Sequence, residues 1–302
     1  MFRKGSIKNR SSIQGWLYIS PFIIGFLLFY AGPMIFAAYI SLTEWPVLGK
    51  PEFVGLLNFE NMLSDDLLWE SLRLTIVYTL IVVPLNVIVG LFLAILLNQK
   101  IRALSFFRTL FYIPSVITGV AVSILWWTVF NTEYGLLNSL LQEIGIPAIP
   151  WLTHTKWVLP AFIIISLWQV GGGVIIYLAG LQGIPTELYD AASIDGAGSW
   201  SRFRRITLPM LSPVLLFTLV LGIIGTFQSF TNALIITNGG PSNASLFYVL
   251  YIYRNAWAFN RMGYAAAMSW LLFVVILVVT IIVFRLTSAR VFYPGSTVKG
   301  GL

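Results

Sequence analysis

The stretch Glu187 to Pro209, ELYDAASIDGAGSWSRFRRITLP, places charge and glycine between two long apolar runs. It is a water-facing device on a chain otherwise suited to lipid. Thr186 is the expected N-cap, and Glu187 and Asp190 place negative charge in the first turn, where it favours the helix macrodipole. Ala191 and Ala192 continue that helix and, being small, let another surface approach. Gly196 and Gly198 supply a reversal at its end. A second helix over 200–206 carries Arg202, Arg204 and Arg205 before Leu208-Pro209 leads into apolar sequence. The whole reads as helix, turn, helix.

Around this segment the composition leaves little choice. Of 302 residues 58% are hydrophobic and 10% charged, where a soluble domain carries about 25% charge. Mean hydropathy is +0.87. The chain is therefore an integral membrane protein, an all-α one, organised as a single domain over 1–302. The net charge of +7 needs no nucleic acid, because lysine and arginine collect at the cytoplasmic ends of spans. With no cysteine and one histidine, His154, disulfides and thiolate or multi-histidine metal sites are excluded.

Apolar runs place six transmembrane helices near 16–41, 74–98, 109–130, 157–182, 207–236 and 262–285, with the cytoplasmic segment at 187–206. Asn238-Gly239-Gly240-Pro241 breaks the longest run, and a short apolar helix over 246–253 follows it without crossing. With the N-terminus inside, thirteen of the 18 basic residues fall on inner segments. These are Arg3, Lys4, Lys8, Arg10, Lys100, Arg102, Arg108, Arg202, Arg204, Arg205, Arg285, Arg290 and Lys299. That bias puts both termini in the cytoplasm, and a seventh span would carry the C-terminal cluster outside.

The gapped pattern Asp190-Ala191-Ala192, Gly196, then Ile206-x-Leu208-Pro209 resembles the EAA loop of permease subunits of binding-protein-dependent ABC importers. The departure is Asp190, where that family usually shows Glu. SLTEW at 41–45, EFVGLLNFENML at 52–63 and TNGGP at 237–241 are similar to its carbohydrate branch, the maltose and glycerol-3-phosphate permeases. The resemblance implies a type I importer permease in the cytoplasmic (inner) membrane that forms the path for a sugar or oligosaccharide. Its implied partners are a second permease, a dimer of ATP-binding subunits that hold ATP and Mg, an extracytoplasmic solute-binding protein, the sugar and membrane lipid, with no nucleic acid. It implies coupling to the ATPase through Glu187, Asp190, Ala191, Ala192, Asp195 and Gly196. The alternatives are a permease for another organic solute such as glycerol-3-phosphate, and a self-contained channel or uniporter.

The chemistry agrees with a transport subunit that is not an enzyme. No G-x-x-x-x-G-K-[ST] phosphate loop occurs, since Gly49-Lys50 runs into Pro51 without the upstream glycine. No cofactor is expected in this chain. The uncharged spans disfavour proton- or sodium-coupled transport. A polyhydroxylated solute needs hydrogen-bonding side chains and aromatic faces, and two places offer them. The fifth span has Gly222, Thr226 and Ser229 on one helical stripe with Gln228 and Asn232 beside it. The fourth has Trp168-Gln169 ahead of Gly171-Gly172-Gly173, an unwound or kinked point. The resemblance places Trp168, Thr226 and Ser229 where sugar-contacting residues lie in the maltose permease, with Thr226 and Ser229 standing in place of asparagines. Polar residues in spans also glue helices together, and glycine also permits close packing. Pro84, Asn86 and Pro114 are read as kinks without chemistry, and Trp126 and Trp127 as interfacial belt residues.

Overall fold

The computed structural model describes residues 5–47, 49–99, 103–288 and 291–292. Arg3, Lys4, Lys100, Arg102, Arg290 and Lys299 of the charge count lie outside them. The described chain is predominantly helical, which is how backbone polar groups are satisfied in lipid. Its contacts divide it into two units: residues up to Asp65 with Ile252–Leu272, and Asp66–Tyr251 with the residues from Phe273 onward.

In the first unit α1 (Gly5–Phe26) runs through a π-helical turn, Leu27–Ala31, into α2 (Gly32–Ser41). Gly15–Ser41 is apolar and long enough to cross a membrane. A short antiparallel pair follows, β1 (Thr43–Glu44) with β2 (Glu52–Phe53), in register Thr43 to Phe53. Then comes α3 (Leu57–Leu63). Asn58 ties the unit together, because its buried amide donates to the carbonyls of Ser41 and Thr43, both at 2.9 Å. The N–H of Met262 donates to the Trp45 carbonyl at 3.0 Å. The Tyr264 hydroxyl donates to Asp65 at 2.6 Å, and the Arg261 guanidinium lies 4.6 Å over the Tyr264 ring. The SLTEW and NFENM stretches thus form one closed loop structure.

The second unit is built on α4 (Asp66–Leu97). At 1.5 Å per residue its 32 residues reach roughly 48 Å, more than the ~30 Å apolar layer, so Asp66, Glu70 and Arg73 sit on the end that overhangs. After it come α5 (Leu104–Val116), α6 (Gly119–Val129), α7 (Leu136–Glu143), α8 (Thr155–Trp168) and α9 (Gly171–Gln182). Next are α10 (Thr186–Ile194) and α11 (Ser199–Arg202), the latter continuous through a π-helical turn, Phe203–Thr207, with α12 (Leu208–Phe227). A turn at Ala233–Thr237, then α13 (Tyr248–Tyr253) and α14 (Met262–Ser288) complete the chain. Here α4 packs against α5, α8, α9 and α12. Lipid tails are as apolar as leucine, so close packing and inter-helix hydrogen bonds hold such helices together. Leu91, Ala94 and Leu97 of α4 meet Val174, Leu178 and Leu181 of α9 and Leu211 of α12 in one buried cluster.

Among the described residues four helices are long and apolar enough to cross a membrane: Gly15–Ser41, Asp66–Leu97, Ser199–Phe227 and Met262–Thr287. Two bent pairs bring the number to six if each makes one crossing. One of them corrects the expected straight third span at 109–130. Ile117 and Thr118 are extended, and α5 and α6 meet there at 99°. The helices are about 20 and 16 Å long, and neither crosses alone. The expected fifth span, 207–236, is also cut, because α12 stops at Phe227 and residues 229 and 230 are not helical. The Gln228 N–H closes that end on the carbonyls of Gly225 and Thr226.

Candidate functional site

The segment 186–207 forms the helix, turn and helix read from its sequence, with two local corrections. Pro185 occupies the N-cap and Thr186 is the first helical residue, with no side-chain cap; Asp190 lies in the second turn, leaving Glu187 as the acid of the first. The end of α10 follows its residue types closely. The Ala197 N–H donates to the Ala192 carbonyl at 2.8 Å and the Gly196 N–H to Ser193 at 3.1 Å. Gly196 sits at φ +74, the left-handed position that closes a helix this way and that a Cβ disfavours. Asp195 is the residue just before it, at the C-cap.

Three contacts hold α10 against the start of the rod that follows it and against the helices behind. The Tyr189 and Thr207 hydroxyls are bonded at 2.9 Å, and Arg202 donates to Ser193 Oγ at 2.9 Å. Tyr189, Phe203 and Ile206 pack onto the buried cluster of α4, α9 and α12. The opposite face is bare. Glu187, Asp190, Ala191, Asp195 and Gly196 are exposed and Ala192 partly so. Among them stand Leu188, Ile194 and Trp200, with Ile194 87% and Trp200 72% exposed. An apolar patch rimmed with carboxylates on a charged segment is the form of a protein-docking surface.

The rod that starts at Ser199 runs without interruption to Phe227, and its far half lines a cavity of about 180 Å³. The walls are Val83, Asn86 and Val87 of α4; Gln169, Val170, Gly173 and Tyr177 from the break into α9; and Thr218, Gly222 and Thr226 of α12. The break between α8 and α9 bends the chain by 43°. It leaves Trp168 as the last residue of α8 and Gln169 at its C-cap. None of these lining residues is charged. The Tyr177 hydroxyl donates to Thr218 Oγ1 at 2.9 Å, Thr226 donates to the Gly222 carbonyl at 2.8 Å, and Asn86 Nδ2 donates to Ser166 Oγ at 2.8 Å.

The sequence-derived set therefore divides. Gln169 and Thr226 meet in the cavity. Trp168 stands beside it in an aromatic group, edge-on to Trp126 at 5.8 Å, and Trp126 stacks on Phe130 at 4.8 Å. That makes Trp126 an internal residue rather than one of an interfacial belt. Asn232 is inter-helix glue, its Oδ1 accepting from Ser123 of α6 at 2.8 Å. Gln228 is exposed and Ser229 half-buried beyond the end of α12, so the expected stripe with Thr226 is broken. The glycine triplet serves both readings. A Cβ on Gly171 would collide with the Phe111 carbonyl of α5, which is close packing, while Gly173 lines the cavity. Asn86, Tyr177 and Thr218 were missed. The signal available for Asn86 is an amide two residues after Pro84 in mid-span, which in sequence alone also marks a kink.

A family model described as binding-protein-dependent transport system inner membrane component matches residues 86–293. The chain is 40% identical over 296 residues to the probable ABC transporter permease protein YesP of Bacillus subtilis, covering 96% of each. It is 36% identical to the lactose transport system permease protein LacF of Rhizobium radiobacter, over 95% of this chain and 98% of that one. To the arabinooligosaccharides transport system permease protein AraP of Bacillus subtilis it is 34% identical, over 91% and 88%. Among solved structures it shares its fold with a chain of a bacterial alginate ABC transporter in complex with alginate pentasaccharide-bound periplasmic protein. The TM-score is 0.84, with 23% identity over 95% of this chain and 98% of that chain.

Proposed function

Because this chain belongs to the inner membrane components of binding-protein-dependent transport systems, we propose that it forms the translocation path for a sugar or oligosaccharide in an ATP-driven importer. It is a multi-pass protein of the cytoplasmic membrane and a transport subunit, with ATP hydrolysis on separate partner chains. The sugar reading is supported by relatives named for lactose and arabinooligosaccharides and by a cavity whose mixed wall includes two amides, two threonines and a tyrosine. The partners are a second permease, a pair of ATP-binding subunits that bind ATP and Mg, and a solute-binding protein outside. In this reading each bent pair is one crossing, both termini lie in the cytoplasm and the chain acts as one permease domain.

One observation carries the mechanism: the helix that begins beside the exposed α10 is the same unbroken rod whose other half walls the cavity. The patch of Leu188, Ile194 and Trp200 with Asp190 is where an ATP-binding subunit docks. Closure of the ATPase pair moves this segment. Because Tyr189 and Arg202 clamp it and the apolar cluster backs it, the motion passes to α4, α9 and α12 as a rigid displacement. The cavity between those helices then opens toward the solute-binding protein.

The chain has no cysteine, so a single cysteine reports one place. Ala191→Cys, carrying a short bifunctional crosslinker in the assembled importer, is expected to reach the ATP-binding subunit. Capture of lipid alone, with the complex intact, would remove the coupling role of this segment.

A further inference from the structure

We propose that α7, between α6 and α8, is an interfacial anchor that lies flat on the membrane, with Leu136, Leu140 and Ile144 set into the boundary between lipid headgroups and acyl chains. The inference goes beyond the transport reading and requires only that the chain spans a membrane. Successive helical residues turn by about 100°, so these three side chains share an arc of roughly 80°. They are 62%, 52% and 71% exposed, and Leu137 and Leu141 extend the same side while half-buried. Ser139 and Gln142 are exposed on the other side, with Glu143 at the margin. Asn138 is buried and fixes the helix to the protein. A helix whose two free sides are apolar and polar suits the plane where hydrocarbon meets water.

Position selects lipid as what covers the apolar side. Residues 130–135 alone separate α7 from α6. The Asn138 amide donates to the carbonyls of Asn131 and Thr132, just past the end of α6, and its oxygen accepts from the Ile149 N–H and Trp151 Nε1, just ahead of α8. The helix is thus strapped to the level at which the chain leaves one bent pair and enters the next. Trp127 in the last turn of α6, Tyr134, and Trp157 in the first turn of α8 are all exposed there, and such rings collect at membrane surfaces. The backbone is also prepared for a place with little water. Gly145, at φ +81, closes α7; its N–H donates to the Gln142 carbonyl at 3.0 Å and the Ile146 N–H to the Leu141 carbonyl at 2.9 Å. Carbonyls left open at a helix end beside hydrocarbon would be costly. In the sidedness proposed above, the surface engaged is the outer one.

The test uses the assembled importer in lipid nanodiscs without its solute-binding protein. Leu140→Cys, Ile144→Cys and Gln142→Cys each carry a nitrobenzoxadiazole fluorophore, a single label because the chain has no cysteine. All three positions are exposed, and co-purification with the ATP-binding subunit certifies each fold. A phosphatidylcholine with a nitroxide near the top of one acyl chain is expected to quench the labels at 140 and 144 about threefold more than the label at 142, and iodide in the water to show the reverse order. Equal quenching at the three positions overturns the proposal. So does shielding of 140 and 144 from both quenchers, which would mean that a protein subunit covers the stripe. Nanodiscs open both membrane faces to the probes, so an error in the sidedness appears only in the labelling of whole cells, and failure of sugar uptake leaves this result untouched.

Discussion

Gly196 shows how much one residue can decide. Its φ of +74 closes α10, yet a Cβ there would touch nothing within 4 Å, so any penalty comes from the backbone alone. Asparagine tolerates that conformation and valine does not. Gly196→Asn is therefore expected to support near-normal uptake. Gly196→Val should cost about 2 kcal/mol locally and separate ATP hydrolysis from uptake in reconstituted vesicles. Asn232 makes the opposite point. Polar and mid-membrane in sequence, it had the look of a solute contact, but its oxygen is held by Ser123. Asn232→Leu should lower stability by about 0.6 kcal/mol and leave the solute preference measured by competition unchanged. Residue type alone could not separate Asn232 from Asn86, because the two differ only in what lies opposite them.

At the scale of elements, the breaks matter more than the helices. Hydropathy shows where a span is, but a helix and a bent pair of helices have the same composition. The 99° turn at 117–118, the 43° bend at 169–170 and the end of α12 at Phe227 are set by which backbone or side-chain groups face each other across the bundle. The connection between α6 and α8 is another such case. Asn138 is 1% exposed; its amide donates to the carbonyls of Asn131, Thr132 and Ile149, and its oxygen accepts from the Ile149 N–H and Trp151 Nε1. Asn138→Ala strands several of these groups and should cost roughly 3 kcal/mol, read as a lower Tm of the purified complex. The Phe130, Trp151 and Trp157 aromatic group, with centroids 5.4 Å apart at each step and rings tilted or edge-on, should loosen with it.

For the whole molecule the claim is one of sidedness. The proposed sidedness, argued from charge bias and span number, has 187–206 inside and the segments 42–65, 131–156 and 238–261 outside. Single cysteines test this directly. In intact cells an impermeant maleimide is expected to label Glu143→Cys and Glu52→Cys, and to reach Asp190→Cys and Ile194→Cys only after the membrane is opened. Labelling of Asp190→Cys from outside would invert the topology and place the docking surface where no ATPase can meet it.

The one-dimensional order of apolar and charged residues determined the membrane class, the number of crossings once each bent pair counts as one, and the helix, turn and helix of 186–207. Those properties follow from local composition, from the span length lipid demands, and from short-range backbone bonds such as Ala197 to Ala192. Only the tertiary structure decided where helices break and which polar side chains face the cavity. A mid-span amide or hydroxyl must find a partner, and Ser166 for Asn86, Thr218 for Tyr177 and Ser123 for Asn232 lie 80, 41 and 109 residues away along the chain. That choice is made by helices packing side by side, a relation that spacing along one strand of sequence does not contain.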